Sequence, residues 1–149
     1  MKMTSFIKDA VQSEQDWRTD PEVLSHFPEV SPKVLPTGAR VLCQLITTKK
    51  TSKQGIILVE ETKETERWNN QVARVLAVGP LAFCNRETGL PWNEGAWCSP
   101  GDFVIVPRWG GNRRTVKFGE EEVYFVTCND HEIIERVYGN PLQLETYIL

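Results

Sequence analysis

Three places in this chain carry residue types that could do chemistry. Cys128-Asn129-Asp130-His131 sets a thiol three positions ahead of an imidazole, a spacing that suits a zinc site with Cys84 and Cys98 as further ligands. Arg108-Trp109-Gly110-Gly111-Asn112-Arg113-Arg114 joins a stacking ring to guanidinium groups, the combination by which single-strand-binding barrels hold nucleic acid. Gln54-Gly55-Ile56-Ile57-Leu58-Val59 sets an apolar plug between polar arms, a segment that could dock in a partner's groove. The sequence has no phosphate loop, no GxGxxG, no GxSxG and no HExxH. Its histidines are His26 and His131, and no pair of carboxylates stands apart as an acid and base. An enzyme is therefore not expected, and no cofactor is called for.

The first two signals weaken on inspection. Cys43 and Cys128 lie in apolar, strand-like segments, where a free thiol is usually a small core residue. No metal is expected at these cysteines. The arginine stretch reads more simply as a tight Gly-Gly turn with exposed cations. A net charge of −3 also argues against bulk nucleic-acid binding.

The third signal holds up better. A short apolar run is usually a buried strand. Here it stands between Thr47–Lys53, with Lys49, Lys50 and Lys53, and Glu60–Arg67, with Glu60, Glu61, Glu64 and Glu66. Both arms are long beside the usual connection of about 4–6 residues. Opposite charges would face each other if the segment folds back, worth about 0.2–1 kcal/mol per pair. That biases a docked hairpin without holding a free one. The segment is expected to be a mobile loop carrying Gly55, Ile56, Ile57, Leu58 and Val59 to a partner.

The elements that must position this loop read as β. Strands are expected over Arg40–Ile46, Gln71–Val78, Asp102–Val106, Thr115–Phe118, Val123–Thr127 and Glu132–Val137, separated by Gly- and Pro-rich turns. The fold class is all-β, a small antiparallel barrel. Residues 37–138 form that domain, with the loop at about 47–70. An excursion at about 80–100 carries Phe83, Trp92 and Trp97. It is either pinned to the body by these rings or a hairpin protruding toward neighbouring subunits.

Residues 1–36 read as an N-terminal extension. Thr4 or Ser5 caps a short helix running to Trp17, Asp20-Pro21-Glu22 starts another reaching His26, and a proline-rich linker follows. Few contacts are expected to cross that linker. Residues 139–149 are a tail.

With 149 residues, 40% hydrophobic and 25% charged, the chain suits one soluble domain. No apolar run approaches the ~20 residues of a membrane span. Met1–Ala10 lacks the apolar core of a secretory signal, so a cytoplasmic location with reduced cysteines is expected.

Five pieces follow one another along the chain: Arg40-Val41, Gly55-Ile56-Ile57-Leu58, Val75-Leu76-Ala77-Val78-Gly79, Gly101-Asp102-Phe103-Val104-Ile105 and Glu121-Glu122-Val123-Tyr124-Phe125-Val126. Their order and spacing resemble those of the GroES or chaperonin-10 family of co-chaperonins. Ala39 stands where the family has an acid, and Gln54-Gly55 where it has Gly-Gly. The extension and the enlarged loops resemble bacteriophage-encoded versions.

The resemblance implies a heptameric homo-oligomer that caps a GroEL-type chaperonin over an unfolded client. Ile56, Ile57 and Leu58 would bind the chaperonin's apical domain, and residues 80–100 would form the roof. The first strand of one subunit (Arg40, Val41, Leu42) would pair with the last strand of its neighbour (Ile133, Ile134, Val137). Nucleotide chemistry would belong to the chaperonin. Competing readings are a structural β-barrel of a viral particle, and a single-strand nucleic-acid-binding barrel using Trp109, Arg113 and Arg114.

Overall fold

The computed structural model describes residues 16–47, 71–108 and 110–144. Six strands form one antiparallel sheet: β1 (Arg40–Leu45), β2 (Val72–Val78), β3 (Phe103–Ile105), β4 (Asn112–Phe118), β5 (Glu121–Asn129) and β6 (Glu135–Val137). The spatial order is β4-β5-β1-β2-β3-β6. This is the expected all-β architecture. Strand ends differ where local pairing overrides composition. β4 starts at Asn112, because Asn112, Arg113 and Arg114 pair with Thr127, Val126 and Phe125. The last expected strand is shorter, starting at Glu135; Asp130–Glu132 before it is a 3-10 turn, held by Glu132 Oε1 accepting from the backbone N (3.3 Å) and Nδ2 (2.7 Å) of Asn129.

β1 lies at the centre of the sheet, and both its faces are covered. Val41, Cys43 and Leu45 enter the main core with Ala73, Val75, Val104, Val106, Tyr124, Val126, Cys128 and Ile133. Leu42 faces the other way and packs with Val123 and Phe125, against Val30 and Val34 of the linker. A β1–β2 bulge between Leu42 and Cys43 shifts the register, and Leu76 and Ala77 both reach this outer cluster. Gln44, almost fully buried, donates from Nε2 to the Pro28 carbonyl at 2.8 Å. A strand covered on both faces has no reason to alternate, which explains the near-continuous apolar run Val41–Leu45.

The expected independence of the extension is therefore corrected for its described part, residues 16–36. Helix α1 (Pro21–Ser25) starts as expected: Asp20 caps it, accepting from Glu22 N (3.0 Å) and Val23 N (3.2 Å), with Pro21 in the first turn. Val23 and Phe27 are buried with Phe103, and Trp17, Ile46, Val137 and Leu142 pack around them. The Phe27 and Phe103 ring centroids lie 5.3 Å apart. Arg18 reaches Asp102 at 3.5 Å. The tail also takes part, because Leu142 belongs to this cluster and Pro141 is buried. The linker runs extended because its prolines forbid a helix, and its alternate side chains are then free to lie on the sheet. The helix expected from Thr4 or Ser5 lies outside the described residues; Trp17 opens a 3-10 turn, Trp17–Thr19.

The junction of β2 with the excursion is pressed against the chain before β1. Gly79 N donates to Arg40 O at 2.7 Å, and Leu81 N to Gly38 O at 2.9 Å. A Cβ on Gly79 would lie 2.3 Å from Gly38 O and 3.1 Å from Arg40 O. Gly79→Ala is expected to lower stability by about 1–3 kcal/mol or more, since backbone must move to admit a methyl group. Urea melts of the two proteins check this.

Candidate functional site

The segment between β1 and β2 leaves and returns at one end of the sheet, where Leu45 faces Ala73. Its upstream root is held on both sides. Ile46 N donates to Val72 O at 3.0 Å, and Thr47 N donates to His26 O at 2.8 Å. His26 Nδ1 lies 3.1 Å from Thr47 O. A carbonyl oxygen can only accept, so Nδ1 carries the hydrogen of that bond. The downstream root, Gln71, is paired to Val106: Val106 N donates to Gln71 O (2.8 Å), and Gln71 Nε2 donates to Val106 O (3.2 Å). Gly55, Ile56, Ile57, Leu58 and Val59 lie outside the described residues.

Of the two expectations held for the excursion, the first describes its base. Its base is pinned: Phe83 is buried in the main core, with Trp92 and Trp97 against it at centroid distances of 5.5 and 6.1 Å. Buried Asp130 accepts from Phe83 N through Oδ2 at 2.9 Å, holding Phe83 in a left-handed conformation (φ 61°). The tip turns at Asn85, whose Oδ1 accepts from Glu87 N (2.8 Å) and Thr88 N (3.2 Å). It leaves Leu90 65% exposed.

The subunit-edge expectation needs correction. β1 pairs with β2 on one side and β5 on the other, so it has no free backbone edge for a neighbour. Val41 and Leu42 are buried within their own chain; Arg40 is exposed and donates to Thr37 O and Oγ1 at 3.4 and 3.0 Å. Among the described residues the strands with one unpaired edge are β4 and β6. Beside β6, Ile134 and Tyr138 are exposed, Val137 is half-buried and Ile133 belongs to the core. In the linker, Leu35 is 82% exposed. These exposed apolar side chains flank the edge strand and stand on the extended segment, the kind of surface that subunit contacts commonly cover.

The chaperonin 10 kDa subunit family matches residues 33–136. This chain belongs to that family. It is 35% identical over 110 residues to the co-chaperonin GroES of Methylacidiphilum infernorum, covering 74% of this chain and 99% of that protein. Against the co-chaperonin GroES of Acetivibrio thermocellus it is 33% identical over 98 residues, 65% of this chain and 92% of that one. Against the co-chaperonin GroES of Clostridium botulinum it is 32% identical over 98 residues, 65% and 90% of the two chains. The chain is a co-chaperonin.

The other two chemical signals find structural roles in this co-chaperonin. Arg113 is half-buried and donates from Nη2 to the carbonyls of Pro107 (2.8 Å) and Arg108 (2.9 Å), a structural role for this group. Trp109 lies outside the described residues, and Arg114 is exposed. Cys43, Cys98 and Cys128 are buried together in the main core, and Cys84 is half-buried. Burial pushes the Cys98 thiol up to about 11 and the Cys128 thiol up to about 12; nearby Asp102 adds to the first and Glu132 to the second. Burial likewise drives Cys43 well above its ordinary range, helped by Cys128 and Cys98.

A thiol that ionises near 9.0 when unfolded stays protonated in the folded chain. Above that pH the folded state binds more protons than the unfolded one. Stability is thus fully present below pH 9 and falls as pH rises toward the folded values. Melting temperature should drop between pH 8.5 and 10.5, and less so in Cys128→Ala. Iodoacetamide at pH 8 should label Cys84 ahead of the other three.

No apolar period or turn signal in the sequence marked His26, Phe27, Leu35 or Asp130. Their importance comes from pairings across long stretches of chain, such as His26 with Thr47 and Phe83 with Asp130.

Proposed function

We propose that this co-chaperonin assembles as a heptameric ring and caps a GroEL-type chaperonin in the cytoplasm, enclosing an unfolded client. Each subunit offers the arm between Thr47 and Gln71, and Ile56, Ile57 and Leu58, flanked by Gly55 and Val59, enter an apolar groove of the apical domain. The observation that carries this reading is the placement of a long arm between two adjacent strands, with both ends anchored, in a chain of this family. Anchored ends let the arm reach outward without loosening the barrel.

The energetics suit a lid that must also leave. Burying each aliphatic side chain is worth about 1.5–3 kcal/mol. Ordering an arm costs about 1–2 kcal/mol per residue fixed. One arm therefore binds weakly, and a ring of them binds through avidity. The exposed Ile134 and Tyr138 beside the free edge of β6 supply one half of the subunit contact. The extended linker with exposed Leu35 supplies the other, in place of β1. Residues 80–100, with Leu90 at their tip, form the roof.

The deciding experiment is sedimentation of the purified protein alone and with a GroEL-type chaperonin, with and without ATP. The expected result is a ring by itself and a larger complex that forms only with nucleotide. A monomer at micromolar concentration, or no complex under any condition, overturns the reading.

A further inference from the structure

The two roots of the arm are held by different parts of the molecule. Gln71 is paired to Val106 of the barrel, inside the family match at residues 33–136. Thr47 is paired to His26, outside that match. Both backbone groups of Thr47 are engaged, its N–H by His26 O at 2.8 Å and its C=O by His26 Nδ1 at 3.1 Å. Ile46, one residue before, packs against the cluster of Val23, Phe27 and Phe103.

The platform under His26 is packed and capped. His26 is the C-cap of α1, and its N–H donates to Val23 O at 3.0 Å. Val23 is fully buried on one side of it and Phe27 almost so on the other. Asp20 caps the start of the helix, and Arg18 ties the preceding turn to Asp102 at 3.5 Å. A short helix of this length does not persist alone; packing holds it.

We infer that the N-terminal extension is a clamp on the chaperonin-binding arm, with His26 as the positioning residue that fixes its upstream root at Thr47. The inference rests on the function proposed above. Its physical content is preorganisation. A root residue already fixed in the free protein does not have to be ordered on binding, and the exit direction of the arm is set before encounter. The extension thereby raises the affinity of the ring without touching the chaperonin.

The test uses full-length protein with His26→Leu, His26→Asn, and a Gly-Gly insertion directly after Thr47. Asn keeps a side-chain N–H donor close to the place of Nδ1, and Leu does not. Amide hydrogen exchange at Thr47 in the free protein is expected to be about tenfold faster in His26→Leu and near wild type in His26→Asn. Chaperonin affinity of the ring should follow the same order, with about a tenfold loss for Leu and recovery for Asn.

The insertion leaves the clamp and the fold in place but uncouples them from the arm. It should weaken binding similarly, and His26→Leu should add nothing further in that background. Unchanged exchange at Thr47 in His26→Leu, unchanged affinity despite faster exchange, or additive losses in the double variant would each overturn the clamp. If wild-type protein binds no chaperonin, the proposed function falls and the effect on affinity with it. The exchange comparison, which needs no chaperonin, then decides whether His26 fixes Thr47.

Discussion

Ile57→Ser in every subunit is expected to abolish capping while the melting temperature stays within about 2 °C of wild type. The expectation follows from where the residue stands. Gln54–Val59 lies between charged arms, in the segment that leaves the sheet at Thr47 and returns at Gln71. Its neighbours in sequence are polar and charged on both sides, which a core strand would not need. A polar substitution in a core would cost several kcal/mol. Here the loss falls on binding, at about 1.5–3 kcal/mol for each arm, and it multiplies across the ring. Refolding of a denatured client with chaperonin and ATP reads the capping, and a thermal melt reads the fold. A collapsed melting temperature would make the segment a core strand. Unchanged melting with unchanged capping would move the binding element elsewhere.

Removing residues 1–36 is expected to destabilise the protein by about 4–8 kcal/mol, counting Val23 and Phe27 at about 1.5–3 kcal/mol each, with the rest from Val30 and Val34. That is a large share of the 5–15 kcal/mol that holds a typical domain. At about 2–4 °C per kcal/mol, the melting temperature should fall by about 10–30 °C. The exposed face would carry Leu42, Val123, Phe125 and Phe103, now largely buried by the extension, so aggregation should follow. Differential scanning calorimetry of the truncated chain checks it. A shift below about 4 °C would mean that the barrel closes its own outer face and the extension is an ornament.

The two predictions mark the division between what could be read along the chain and what could not. The strands of the barrel were legible because apolar and β-branched residues cluster between Gly and Pro, and α1 because Asp20-Pro21-Glu22 is a start signal independent of context. The segment proposed to bind stands out for a related reason. Four apolar residues stand there between lysine-rich and glutamate-rich arms, a local pattern visible without any tertiary context.

Partnering across the fold was not legible. Val41–Leu45 reads as a strand, but nothing local says that it is central and covered on both faces, so its assignment to a subunit edge failed. The linker reads as proline-rich and independent because composition reports conformation and not contacts. Its extended form is what lets Val30 and Val34 lie against Leu42, Val123 and Phe125. Cys128 and His131 have the spacing of metal ligands, but the strand turns Cys128 into the core and leaves His131 exposed.

By itself, then, the sequence determined the all-β class, the order of the strands and the capped helix, and it singled out the segment proposed to bind, since each rests on neighbours in the chain. The tertiary structure decided which strands keep an open edge, that the extension belongs to the barrel, and that His26 holds Thr47. Those facts depend on backbone hydrogen bonds and side-chain burial between residues far apart in the chain, and the residue types alone do not distinguish one such pairing from another.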